Sequence, residues 1–306
     1  MQIVTDILHY GRKPCAATIG SFDGVHKGHV AMLGELRAVA LERGLPLMVV
    51  TFARHPRMLF NNSGAPFLLT PSAAKLQLLE AAGVDICVLL DFDHEMAAMS
   101  ASQFMQEILV ECLGVQLLAV GYNHHFGKPA AGEGLEQYIA IGKELGVEVF
   151  GAQPFMVGEV AVSSTTVRRA LDAGDVALAE SLLGHRYILS GVVVHGAGIG
   201  RQLGFPTANI SLADEMQMLP LDGVYEVNVF IKGNTYKGVM NIGVKPTVSG
   251  KEHTLEVHII GFEGDIYGSD ITVEFVRRLR GEQSFDNINA LRFQIEVDVA
   301  RVKRGI

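Results

Sequence analysis

Between residues 15 and 151 the chain switches repeatedly between two hydrophobic periods, and this alternation narrows the choice of fold more than any other feature. Residues 15–20 form a short apolar run, after which Val30, Leu33, Leu36, Ala40 and Leu41 recur at helical spacing. Residues 45–52 (LPLMVVTF) are almost continuously apolar, the pattern of a strand buried on both faces. Residues 71–82 read as a helix, with Thr70 as N-cap and Pro71 in the first helical position. Strands are expected at 85–90, 115–121 and 147–151, and helices at 101–113, stopped by Gly114, and at 133–145. The series predicts βαβ units, that is, an α/β domain built on a parallel sheet with helices on both faces. Ligands of such sheets bind at the carboxyl ends of the strands. The segments that follow Gly20, Thr51-Phe52 and Gly121 are therefore expected to share one crevice.

Residues 164–183 read as two short helices, with Asp175 capping the second, and the pattern then changes. Strands are expected at 187–195, 224–232, 236–243, 253–261 and 271–279, with turns at Gly233-Asn234 and Gly264-Asp265. This predicts a small antiparallel barrel. A last helix over 286–302 would carry Ile288, Leu291, Ile295, Val299 and Val302 on one stripe. The expected domains are 1–183 and 184–306. No apolar stretch is long enough for a membrane span, and the first residues do not read as a signal peptide. The three cysteines, Cys15, Cys87 and Cys112, are far apart and suit small core positions in a reducing cytoplasm. The formal charge of −8 argues against broad nucleic-acid binding but leaves room for an acidic ligand in a local pocket.

The stretch TIGSFDGVHKGH (18–29) joins a strand end, a glycine-rich turn and a helix start. Unpaired backbone N–H groups and the helix dipole converge there, which makes it a cradle for an anion. His26 and His29 stand on one face of the first helical turn, and Gly28 lets a nucleotide come close. The chemistry that fits is attack on an α-phosphate with loss of pyrophosphate, which needs positioning and positive donors rather than a protein nucleophile. In residues 163–168 (SSTTVR), Ser163 is a candidate N-cap, Ser164 and Thr165 supply hydroxyls, and Arg168 follows one turn later, giving a second phosphate site. The plain alternative for that stretch is an ordinary cap with a solvated arginine pair.

In the second domain, four glycines lie within residues 196–204, among them Gly198, Gly200 and Gly204, and make a flap whose backbone can approach phosphates. Thr207 and Asn209 alternate on a strand and share a face, where a hydroxyl and an amide oxygen can hold Mg²⁺ on a nucleotide. Glu256 in LEVH could take a proton from an attacking hydroxyl, or could be part of a solvated strand face.

The segments TIGSFDGVHKGH, TFARHPRMLF (51–60), VGYNHHFG (120–127) and VSSTTVR (162–168) resemble the adenylyltransferase half of the bacterial bifunctional riboflavin kinase/FAD synthetases. The resemblance implies a Rossmann-like nucleotidyltransferase domain of the HxGH type. It also implies an ATP site at Gly20, Phe22, Asp23, Gly24, His26, Gly28, His29, Ser163, Ser164, Thr165 and Arg168. His55, Pro56, Asn123 and Phe126 would stand at the FMN. Asn123-His124 and Ala53-Arg54 depart from the family's usual residues at those places. GRQLGFPTAN (200–209), GVYEV, GVMNIGVKPTV, LEVHIIGFEGDIYG and VEFVRRLRGEQSF resemble the family's riboflavin kinase module. That implies a flavokinase barrel with ATP at Gly198, Gly200, Gly204, Pro206, Thr207 and Asn209. Mg²⁺ would be held by Thr207 and Asn209, Glu256 would be the catalytic base, and Phe205 and Arg280 would lie at the flavin. The implied reactants are riboflavin, FMN, FAD, ATP, ADP and pyrophosphate, in a cytoplasmic protein without nucleic-acid or membrane partners. Two other readings stay open at the level of sequence: a kinase with a silent first domain, and a flavin-binding sensor without catalysis.

Overall fold

The computed structural model describes residues 1–60, 64–122, 126–127, 134–196, 198–247 and 250–305. The chain divides into two compact units, Met1–Ser164 and Thr165–Ile306. The first contains β1 (Gln2–Val4), β2 (Cys15–Ile19), α1 (Lys27–Glu42), β3 (Leu47–Phe52), α2 (Arg57–Phe60), α3 (Ser72–Ala81), β4 (Ile86–Leu90) and α4 (His94–Ala98). Then come α5 (Ala101–Gln103), a π-helix (Phe104–Cys112), β5 (Val115–Val120), α6 (Leu135–Leu145), β6 (Glu148–Gly151) and the hairpin β7 (Met156–Val157) and β8 (Val160–Ala161).

Six strands form one parallel sheet in the order β1-β4-β3-β2-β5-β6. The chain winds outward from β2 through β3 to β4, then returns to the other side of β2 with β5 and β6. The direction of winding therefore reverses between β2 and β5, and a crevice opens at such a switch point. Every residue of β2 and β3 is buried. Cys15, Ala17, Ile19, Met48 and Val50 face a core built with the π-helix and Tyr138, while Ala16, Leu47, Val49 and Cys87 face α1. Burial pushes the Cys15 thiol up to about 12 and the Cys87 thiol to about 11.

The helices depart from the sequence expectation in three places. α1 buries Met32, Leu33, Leu36 and Ala40, whereas Val30 and Leu41 face solvent at 45% and 67% exposure. α3 begins at Ser72 with Pro71 as its N-cap and no side-chain cap bond, one residue later than expected, and the Thr70 N–H donates to Asp23. The helix expected over 101–113 starts as α5, closed by a Ser100–Gln103 capping box, and continues as the wider π-helix. Its apolar residues Phe104, Met105, Ile108 and Leu109 suit either winding, so the period does not distinguish them.

The second unit holds α7 (Ser164–Asp172) from Thr165 on and α8 (Val176–Leu183), followed by β9 (Ile188–Val194), α9 (Ile199–Gln202), β10 (Thr207–Leu212), β11 (Gly223–Ile231), β12 (Asn234–Thr247), β13 (Gly250–Ile259), β14 (Asp270–Arg280) and α10 (Ile288–Arg304). α8 packs on β14, which groups residues 165–183 with the barrel rather than with the parallel sheet. The six strands close into an antiparallel barrel in the order β10-β13-β12-β11-β14-β9. Tyr225, Val227 and Val229 alternate into its interior with Met240, Val257, Val273 and Phe275. α10, capped by Asn287, covers Val224 and Val239 with Ile295, Val299 and Val302. Ile288, expected on that stripe, is 55% exposed in the first turn of the helix. Among the described residues no helix is long and apolar enough to cross a membrane.

Leu36 is fully buried where α1 meets the sheet. Leu36→Ala is expected to lower stability by about 2–5 kcal/mol, read as a fall in the urea midpoint of the full chain.

Candidate active sites

The first site grows out of the end of β2. The Gly20 N–H continues the ladder to the Val50 carbonyl at 3.1 Å. The next residues turn sharply, with Phe22, Gly24 and Val25 at φ of 49°, 87° and 39°. Two of these are not glycine, so the turn is strained. It is held by Asp23, which is 2% exposed and accepts from the N–H groups of Leu69 (2.9 Å) and Thr70 (3.1 Å). The Ser164 hydroxyl donates to the Asp23 carbonyl at 2.9 Å. The Asp23 carboxylate is thus directed to the backbone N–H groups of Leu69 and Thr70, beside the turn that leads to His26.

His26 is the N-cap of α1, its Nδ1 accepting the His29 N–H at 3.2 Å. The two imidazoles are stacked, with centroids 3.6 Å apart and planes 12° from parallel, and Phe22 lies against His29 at 4.8 Å. A Cβ on Gly28 would stand 3.2 Å from His26 Nδ1 and 3.3 Å from the Val162 carbonyl, so a side chain there would press on the ring and on that carbonyl. Ser163 occupies the residue before α7, and Ser164 is joined to the turn as described. Thr165 and Arg168 stand on α7 in the second compact unit.

His55 accepts the Arg57 N–H through Nδ1 at 3.1 Å, and with Pro56 leads into α2, where its ring meets Phe67 edge-on at 5.1 Å. Asn123 lies outside the described residues. Phe126, expected at the flavin, is packed in the core at 7% exposure. It stacks on Tyr138 at 4.3 Å, and the Tyr138 hydroxyl bonds both its N–H and its carbonyl. Sequence reasoning missed Lys75, whose ammonium is buried beneath the ends of β2 and β3. A lysine within an apolar helical stripe reads as solvated from sequence alone.

The second site is a row across three barrel strands. Asn209 on β10 pairs with Glu256 on β13, which pairs with Asn241 on β12, so all three point to one face. The Thr207 hydroxyl donates to Glu256 at 3.2 Å. The flap packs closely here: a Cβ on Gly196 would collide with the Asn209 amide, and one on Gly200 would collide with the Phe205 carbonyl and stand 3.1 Å from the Thr207 hydroxyl. Gly198 and Gly204 have φ of 71° and 86°. His258 donates through Nδ1 to the Pro206 carbonyl at 2.9 Å and meets Phe205 edge-on. This gives it the bracing role for which its alternation with Glu256 offered no sign.

Two cavities adjoin Thr207 beside this row. One, of about 340 Å³, has apolar walls at Phe205, Val239 and Leu291 and polar groups at Thr207, Asn241, Glu256 and Arg280. The other, of about 560 Å³, lies between Arg201, Pro206, Thr207 and the 262–267 loop. Thr207 lines both. Arg280 is clamped by Asp298, with Nε and Nη2 both 2.9 Å from Oδ2, while Gln294 donates to Oδ1 at 3.0 Å. Asp298 is 1% exposed and, like Asn241, was not singled out in the sequence, because its partners come from distant strands.

Comparison with known proteins agrees with this division. A family model described as FAD synthetase matches residues 10–166, and one described as Riboflavin kinase matches 183–306. The bifunctional riboflavin kinase/FMN adenylyltransferase of Escherichia coli K12 is 42% identical over 302 residues, covering 97% of this chain and 96% of that protein. The Pseudomonas fluorescens protein of the same name is 43% identical, covering 99% and 97%, and the Bacillus subtilis one 35%, covering 92% and 89%. A solved structure described as a macrolide-efflux protein from Streptococcus pneumoniae superposes with a TM-score of 0.86 at 30% identity, covering 98% of each chain. That superposition carries the fold, and the tandem family matches with near-full-length relatives carry the lineage: the chain belongs to the bifunctional riboflavin kinase/FMN adenylyltransferase family.

Proposed function

We propose that the two sites run the two steps of FAD synthesis, with the functional boundary at 183/184. The barrel phosphorylates riboflavin to FMN, and the parallel-sheet domain adenylylates FMN to FAD. The observation that carries the reading is that Thr207, bonded to Glu256, lines both barrel cavities, so a nucleotide on one side and a flavin on the other would meet at a carboxylate.

In the first step the ribityl 5′-oxygen forms a bond to the γ-phosphorus of ATP. The bond from that phosphorus to the β,γ-bridging oxygen breaks, ADP leaves, and Glu256 takes the hydroxyl proton. Thr207 holds Glu256 in line. Arg280, fixed by Asp298, and Phe205 bind the flavin, while Pro206 and the flap at Gly198, Gly200 and Gly204 bind the nucleotide. Thr207 and Asn209 offer a hydroxyl and an amide oxygen, a donor set that fits a hard cation bound mainly through water and phosphates. When bound there, Mg²⁺ would neutralise charge on the transferring phosphoryl group. In the second step an FMN phosphate oxygen attacks the α-phosphorus of ATP and pyrophosphate leaves. His26 and His29 donate to the phosphate oxygens at a helix N-terminus, and Ser163, Ser164, Thr165 and Arg168 hold the triphosphate. His55 and Pro56 would bind FMN, with Asn123, outside the described residues, assigned there by the family pattern alone. The buried thiols of Cys15 and Cys87 support a reducing, cytoplasmic setting.

Chromatography of the products from riboflavin and Mg-ATP tests the whole scheme: FMN and then FAD should accumulate, and bound but unconverted riboflavin would refute it. His29→Ala is expected to lower FAD formation about 100- to 1,000-fold and leave FMN formation within twofold. Glu256→Ala should lower FMN formation by about 100- to 10,000-fold while supplied FMN is still converted to FAD. Loss of both activities in either variant would contradict separate sites.

A further inference from the structure

α3 turns two residues into the interior, Lys75 and Leu79. An apolar side chain would fill the Lys75 position without desolvating a charge. The lysine instead meets three acceptors with its three donors: the Phe52 carbonyl at 3.0 Å, the Thr51 hydroxyl at 3.2 Å and the Ser21 carbonyl at 3.5 Å. The Thr51 hydroxyl in turn donates a hydrogen bond to the Ser21 carbonyl at 3.2 Å. Lys75 is 6% exposed and Thr51 fully buried. Burial pushes the ammonium below the usual lysine range, against the opposing pull of Cys87 and Asp23.

The location of this network gives it a role. Ser21 is the residue before the strained Phe22–Val25 turn, and Phe52 ends β3 shortly before His55-Pro56. The cation therefore ties together the carboxyl ends of two neighbouring strands, where a parallel sheet binds its ligand. We propose that Lys75 is a positioning residue for adenylyl transfer. Through Thr51 and the Ser21 carbonyl it fixes the turn that presents His26 and His29 to the phosphates, and its charge is a fixed counter-charge beneath the anionic reactants. The proposal rests on the adenylyltransferase reading of the first domain. Asp23 and Lys75 then divide the work: the carboxylate holds the turn from the 69–70 side, the ammonium from the strand side.

Lys75→Met keeps the length of the stem and removes charge and donors. In the full chain, kcat for FAD formation from FMN and Mg-ATP is expected to fall at least tenfold, or about 1.4 kcal/mol of barrier. The KM for ATP should stay within threefold, and FMN formation from riboflavin within twofold, all per folded molecule as read by circular dichroism. A kcat within twofold of wild type, or a rise in KM alone, would overturn the inference. If Lys75→Met does not fold, Thr51→Val decides, since it keeps the shape and cuts the relay: a threefold or greater fall in FAD kcat supports the inference and an unchanged kcat overturns it. A wild-type chain that makes no FAD would overturn the underlying reading, whereas FAD formation by wild type and unimpaired Lys75→Met would overturn this inference alone.

Discussion

The buried carboxylate of Asp23 holds the part of the first unit on which its chemistry depends. A turn with two non-glycine residues at positive φ stores on the order of 1–3 kcal/mol at each. Main-chain N–H bonds to an ionised carboxylate contribute about 1.5–3 kcal/mol each, enough to offset that strain. Leu69 and Thr70 supply those N–H groups from a segment 46 or 47 residues away in the chain. The shape of the turn is thus a tertiary property. Remove the carboxylate and the two N–H groups are left buried without it, the turn relaxes, and α1 loses the direction from which His26 enters.

The second unit solves its positioning problem by other means. Closed-barrel registry puts Asn209, Glu256 and Asn241 abreast on three successive strands, so the geometry of the row is set by backbone hydrogen bonds. The flap packs against that row: a Cβ at Gly200 would run into the Phe205 backbone carbonyl, and one at Gly196 would displace the Asn209 side chain. Two carboxylates serve different ends here. Glu256 bonds the Thr207 hydroxyl at the junction of two cavities, while Asp298 is committed to Arg280 and Gln294.

Periodicity made the alternating sheet domain and the barrel legible, and short motifs marked two candidate phosphate-binding stretches, because each is a local pattern several residues long. What stayed hidden was carried by distant partners. Nothing local links Asp23 to the N–H groups of Leu69 and Thr70, or Phe126 to the Tyr138 hydroxyl. Asp298 and Lys75 are single charged residues in amphipathic helices, which sequence reading assigns to solvent. Their burial depends on Arg280 and on the ends of β2 and β3, and no spacing rule links those positions. β1, α2 and α4 have too few residues to show a period at all.

The cap on α1 has a consequence for proton inventory. Helix caps are ordinarily drawn from serine, threonine, aspartate and asparagine, short side chains whose oxygen accepts an N–H of the first turn. His26 accepts through Nδ1, so in the neutral ring the single proton must reside on Nε2, across the imidazole. One ring thus terminates the helix on one edge and carries a hydrogen-bond donor on the other. The tautomer is set by the fold before any ligand arrives. An aspartate at this position would preserve the helix start and offer no donor, so folding and chemistry, fused in one side chain here, are separable by a single substitution.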